Sequence, residues 1–151
     1  LNTSKVVGLG HSAGGHLAVW AAGRPKLSGT PWDQPAVPLT AAISQAGVLD
    51  LVGAVEENLG AGATQAFMGG TVDGRYRDAD PTAQIPLDVP VRCVHGKQDD
   101  TVPLSQSIGY VDRARSAGAD VELAEVEGEH FVVIDPTSRA WGRTLEILES
   151  L

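Results

Sequence analysis

The chain has 151 residues, of which 42% are apolar and 20% charged, and carries a net charge of −8. A chain of this size buries about 68–70% of its unfolded surface, enough for one domain with a real core. The charge argues against nucleic acid and anionic membrane surfaces as partners: phosphate recognition uses clustered Lys and Arg, and here Lys5, Lys26 and Lys97 are the only lysines and no basic run exists. No apolar stretch approaches the ~20 residues of a spanning helix. The single cysteine, Cys93, excludes an internal disulfide framework and any multi-cysteine metal site, and leaves the compartment open. The chain opens on Leu1, not Met, and enters a strand pattern almost at once, so it reads as a piece of a longer sequence.

In chain order, the run from Lys5 to Gly10 predicts a buried strand closed by glycine. A helix follows over about Ala13 to Gly23, apolar on most sides through Leu17, Val19, Trp20 and Ala21. Leu39 to Ser44 predicts a second strand. The segment 48–88 is a long excursion with short helices at Leu51–Glu57 and Ala63–Phe67, a Gly69-Gly70 turn and a connector from Pro81 to Pro86. At roughly 40 residues it exceeds the usual few-residue connection, so it is expected to hold packed structure of its own. Val89 to His95 predicts the third strand, Leu104 to Ala117 a helix that Gly118 can close, and Val121 to Val126 a fourth strand. That strand alternates apolar and polar residues, as one at a wetter sheet edge does. A last helix covers about Thr137 to Leu148. Strands alternating with helices predict an α/β class with a parallel sheet.

Gly10-His11-Ser12-Ala13-Gly14 matches G-x-S-x-G, and it lies between a predicted strand and a predicted helix. That context is the one a nucleophile elbow requires: a sharp, strained turn that exposes the serine hydroxyl, with glycines where side chains would collide. The N–H groups at the start of the following helix, Ala13 first, are placed to receive an oxyanion. A plain glycine-rich turn with Ser12 as helix cap is the simpler alternative.

A serine hydroxyl needs a base, and the base needs an acid. Among the four histidines, His11 is expected to point away from the hydroxyl and either to pack or to support the reacting groups from behind. His16 reads as a hydrogen-bonded core residue within the helix, and His95 as a brace for the loop after the third strand. His130, in the loop after the fourth strand, is the candidate base, because open α/β sheets place their sites at the carboxyl ends of the strands. Asp99 is the candidate acid. Asp100 fits better as a cap for the helix beginning near Pro103, and Asp50 as a cap for the helix at Leu51. The order Ser12, Asp99, His130 differs from those of chymotrypsin and subtilisin and is the order of the α/β-hydrolase fold.

On these residues the chain resembles the α/β-hydrolase superfamily, in its esterase/lipase and prolyl-oligopeptidase-like branch. The likeness is carried by Gly10–Ala18, by Phe67-Met68-Gly69-Gly70-Thr71, by Ala79-Asp80-Pro81-Thr82 and by the stretch from His95 to Pro103. The resemblance implies a serine hydrolase of carboxylic esters with Ser12 as nucleophile, Asp99 as acid, His130 as base and Ala13 in the oxyanion hole. It implies no cofactor and no metal, and a small-molecule ester or amide as substrate; arylformamidase-like and prolyl-peptidase-like amide cleavage stay open, as do a non-catalytic module and the oligomeric state. It also implies a three-layer αβα domain of eight strands, about 240 residues at ~30 per strand–helix unit, of which these would be strands five to eight. The His-Gly-Gly stretch that supplies the second oxyanion donor in this branch does not occur in the sequence. On that reading the 151 residues alone are expected to be unstable or weakly active.

Other signals point to packing. His11 and His16 lack the i, i+4 spacing of a helical metal pair, and neither H-E-x-x-H nor a nucleotide-binding glycine motif occurs. Trp32, in a loop where it could face a substrate, reads more simply as a loop anchor, Trp141 with Leu145 and Leu148 as core, and Cys93 as an inert buried thiol.

Overall fold

The computed structural model describes residues 4–151. Four strands, β1 (Val7–His11), β2 (Ala41–Gln45), β3 (Val91–Gly96) and β4 (Val121–Val126), form one parallel sheet in the order β1-β2-β3-β4. The central strands are built from small and branched apolar residues, and β2 is buried at every position. Such continuous runs mark strands covered on both faces. The strand β1 extends one residue beyond its predicted end, because His11 still pairs with Gln45 of β2. Conversely β3 starts after Pro90, which has no N–H to give the ladder and offers only its carbonyl, to Ala42.

Alternation along β2 and β3 divides the core into two faces. On one, Ala42, Val91 and Cys93 meet Val19 and Ala22 of helix α1 (Ala13–Gly23) and Tyr110, Val111 and Ala114 of helix α5 (Ser105–Ser116). On the other, Ile43 and Val94 meet Val133 and, from helix α6 (Arg139–Ser150), Ala140 and Ile147. The result is a three-layer αβα arrangement. Between β2 and β3 lie helices α2 (Leu51–Glu56), α3 (Ala63–Met68) and α4 (Tyr76–Ala79), with 3-10 turns at Leu59–Ala61 and Pro81–Gln84. Asp50 caps α2 as expected, accepting from the Gly53 N–H at 2.7 Å, and also pairs with Arg113 of α5 at 2.7 Å. The strand β4 lies at one end of the strand order, but its exposure does not alternate as expected: only Glu122 and Glu125 are exposed, and, three residues apart, they lie on opposite faces.

Helix α6 corrects one expectation. Its inward stripe is Ala140, Thr144 and Ile147, whereas Leu145 and Leu148 are exposed and Trp141 is only half-buried. Both stripes have the same spacing, so periodicity cannot choose between them. The choice falls to a polar contact: Thr144 Oγ1 accepts from the buried Gln45 side chain at 3.1 Å, which turns that side of the helix to the sheet. No helix of the described residues is long and apolar enough to cross a membrane.

Candidate active site

Ser12 stands where β1 turns directly into α1, with φ 56° and ψ −121°, a left-handed backbone that a non-glycine residue adopts only at a cost of about 1–3 kcal/mol. The surroundings over-determine it. Its N–H donates to the Gln45 carbonyl of β2 at 2.8 Å, and its own carbonyl accepts from the Gly15 and His16 N–H groups at 2.9 and 3.2 Å. Gly10 is required here, because a Cβ at that position would overlap the Gly14 carbonyl. The Ser12 hydroxyl caps no N–H of α1, so the simple helix-cap alternative does not describe it. Ala13 is the first residue of α1, where helix N–H groups lack intrahelical partners.

Asp99 and His130 are brought together from the ends of β3 and β4. His130 Nδ1 donates to Asp99 Oδ2 at 2.7 Å, while Asp99 Oδ1 accepts from the Thr101 and Val102 N–H groups at 2.9 and 2.8 Å. Burial pushes the Asp99 carboxyl up, but the bond from His130 and the two backbone donors outweigh it and hold it below the usual range. The carboxylate is therefore ionised and can only accept, so Nδ1 of His130 carries the hydrogen, and in the neutral ring Nε2 is the lone-pair nitrogen. Gly96 lets the two loops approach this closely, since a Cβ there would run into the Gly128 carbonyl. Asp100 is exposed; it accepts from Thr101 Oγ1 at 3.2 Å and does not cap α5, whose N-cap residue Leu104 has no side-chain oxygen to offer. Asp99 rather than Asp100 thus meets His130, and the loop spends its backbone donors on Asp99.

The other histidines occupy distinct places. His16 is buried and bonds the Ala79 carbonyl at 2.8 Å; burial holds its ring below the ordinary histidine range. His95 is fully buried, with Nε2 2.9 Å from the Val102 carbonyl and 3.3 Å from Asp99 Oδ2, and Nδ1 2.8 Å from Ser107 Oγ. Two acceptors face Nε2, so the proton is there and Nδ1 accepts from Ser107, a neutral ring that burial favours. It braces the loop as expected. His11 packs, but onto His130: the ring centroids are 4.4 Å apart. Cys93 is fully buried, and burial pushes its thiol up to about 12.

Two residues of the site's frame escape sequence reasoning. Gln45, inside a buried strand, gives its carbonyl to Ser12 and its side-chain amide to Val133 and Thr144 beyond His130. Gln106 accepts with Oε1 from the Leu49 and Asp50 N–H groups at 3.0 and 2.9 Å, fixing the chain after β2. A polar residue at a position patterned for burial is the signal that marks Gln45.

Beside Ala13, a pocket of about 200 Å³ is lined by His16, Leu17, Val48, Leu51 and Phe67. It adjoins a groove of about 360 Å³ that shares His16, Leu17 and Phe67 and adds Trp20, Trp32 and Met68. Trp32, expected as a loop anchor, contributes to this groove and remains substantially exposed. Among the described residues no cluster of His, Cys, Asp and Glu is arranged to hold a metal ion.

Comparison with known proteins agrees with this architecture. No curated protein matches the chain. Among solved structures, a thermophilic esterase of Thermogutta terrifontis with propionate bound is similar at 26% identity and TM-score 0.68, over 95% of this chain and 53% of its own. The acylaminoacyl peptidase of Pyrococcus horikoshii is similar at 20% identity and TM-score 0.72, over 98% of this chain and 24% of its own. A truncated carbohydrate esterase from gut microbiota follows at 20% identity and TM-score 0.71, over 94% of this chain and 57% of its own. The chain thus spans little more than half the length of the esterases and about a quarter of the peptidase. It has the α/β-hydrolase fold in the form of four parallel strands. The BD-FAE family model matches residues 1–113, through the elbow and the acid loop, and the chain belongs to that α/β-hydrolase family.

Proposed function

We propose that the chain carries the reacting residues of a serine hydrolase that cleaves carboxylic esters through an acyl-enzyme. The observation that carries the reading is the 2.7 Å bond from His130 to a saturated, buried Asp99, at the sheet edge where the strained Ser12 presents an uncapped hydroxyl. In this reading His130 Nε2 takes the Ser12 proton as Oγ attacks the acyl carbonyl. Asp99 holds the ring in that tautomer and stabilises the imidazolium. The Ala13 N–H, at the positive end of α1, receives the oxyanion. His130 then protonates the departing alkoxide, and a water activated by the same nitrogen releases the acid.

Esters are preferred over amides on two grounds. The pocket beside Ala13 is small and largely apolar, and the esterase relative that holds propionate is a short-acyl case. Amide cleavage is the second reading, favoured by the likeness to the acylaminoacyl peptidase.

The test is labelling of the full-length protein with a fluorophosphonate probe, followed by turnover of short acyl esters, feruloyl esters, N-formyl aryl amines and prolyl amides. Ser12→Ala should abolish labelling and lower kcat by a factor on the order of 10⁴ or more, and His130→Ala should do nearly the same. A folded full-length protein that neither labels nor turns over any of these classes would sink the hydrolase reading. Faster turnover of the amides would favour the second one.

A further inference from the structure

His11 immediately precedes the candidate nucleophile, yet its side chain is engaged with the candidate base. Its Nε2 lies 3.0 Å from the His130 carbonyl. A carbonyl oxygen has no proton, so Nε2–H is the donor and Nδ1 is the lone-pair nitrogen of a neutral ring. The His11 ring lies 4.4 Å from the His130 ring at a tilt of 46°, and Phe131 stands edge-on to His130 at 5.1 Å and tilted to His11 at 5.7 Å. The imidazole of His130 is therefore held by Asp99 at one nitrogen and flanked by two rings.

We infer that His11 is a positioning residue for the base: it ties the backbone of His130 to the strand that carries Ser12 without placing a second charge beside that ring. This rests on the hydrolase reading above. The tie matters because Ser12 and His130 come from opposite edges of the sheet, β1 and the end of β4. Without it the link between them is left to loop packing and to Gln45, which holds the Ser12 N–H and reaches Val133 but not His130 itself, and an error of about 1 Å at a reacting pair costs on the order of 100-fold.

The neutral state follows from what the ring faces. His130 lies against it from the β4 loop, and the Asp99 carboxylate acts on it from the β3 loop. His130 must become an imidazolium in each half-reaction, and a second cation at 4.4 Å would oppose that charge. Burial, the largest influence on His11, holds its ring below the ordinary 6.5, with the His130 carbonyl bond opposing and the His130 charge adding to it. Protonation of His11 at low pH would leave the Nε2–H bond intact and place that second cation beside the base.

The experiment compares His11→Gln, His11→Phe and His11→Ala in the full-length protein, measuring kcat and KM for a short acyl nitrophenyl ester, the pH profile of kcat/KM, and the low-field proton resonance of His130 Nδ1–H. The Phe and Ala variants should lose about 10–100-fold in kcat with KM within about twofold, and their low-field proton should broaden or vanish. The Gln variant, whose amide can still donate to the His130 carbonyl, should recover most of kcat. On the acid side wild type should fall more steeply than one decade per pH unit once His11 also protonates, and the Gln variant should fall with unit slope throughout. Wild-type kcat in the Phe and Ala variants, or a Gln variant no better than Ala, would overturn the inference while leaving Ser12-dependent turnover in place. Absence of Ser12-dependent turnover in wild type would overturn both readings together.

Discussion

The candidate site has two halves built to different standards. The acid–base half is enclosed: Asp99 accepts three hydrogen bonds, His95 sits behind it, and β3 beneath it is paired on both sides. The nucleophile half stands on β1, which among the described residues pairs only with β2 and is half-exposed along its length, Leu9 at 40%. The two outer strands also differ. In β4 the exposed charges of Glu122 and Glu125, one on each face, discourage further pairing, whereas β1 is apolar and glycine-rich with no charge. Side-chain and backbone hydrogen bonds hold the candidate acid and base together; Ser12 depends on steric exclusion around a few glycines and on the Gln45 carbonyl.

Substitutions separate the halves. The largest effect is expected from Gly10→Val, whose side chain has to displace backbone at Gly14. Loss of several kcal/mol of stability and of all Ser12 labelling should follow. The low-field proton of His130 Nδ1–H should survive in whatever fraction folds; its disappearance would show that the acid–base half depends on the elbow. Asp99→Asn attacks the other half. Its amide brings a donor against either His130 or the Thr101 and Val102 N–H groups, so kcat should fall by a factor on the order of 10⁴. Thermal unfolding by circular dichroism and kinetics would check both variants.

A smaller effect comes with pH. His16, behind the elbow, and His95, behind the acid, are both held below the ordinary 6.5 by burial. As pH falls through about 6.5 the unfolded chain takes up protons that the folded rings refuse, so stability is full above that range and declines below it. Tm should drop by about 2–4 °C for each kcal/mol lost. His11 is held down by burial as well, so His16→Gln, which removes one of the three lowered rings, should flatten part of the decline, and an unchanged pH slope in that variant would place the dependence elsewhere. Hydrogen exchange would show whether β1 or β3 opens first in acid.

Much of this arrangement is legible in the amino-acid order. The parallel strands announce themselves as apolar runs, and β4 keeps its predicted bounds although its exposure does not alternate. Asp50 and Gly118 are read correctly as helix ends because capping is local chemistry; Gly118 has φ 82° and its N–H reaches Arg115. What is not legible depends on distant partners. The burial of Thr144 rather than Leu145 needs Gln45, 99 residues away. The turning of His11 onto His130 spans 119 residues. The inward role of Asp99 and the outward place of Asp100 rest on which carboxylate the Thr101 and Val102 N–H groups reach, a matter of loop shape that neighbouring identical residues cannot reveal.

The backbone at Ser12 has one further consequence. At φ 56° alanine is as strained as serine, and only glycine is at ease. Two replacements that both delete the hydroxyl should therefore part company: Ser12→Ala keeps the strain, while Ser12→Gly releases it and should melt higher by a margin worth about 1 kcal/mol. A lineage selected for durability alone would drift toward glycine at this position.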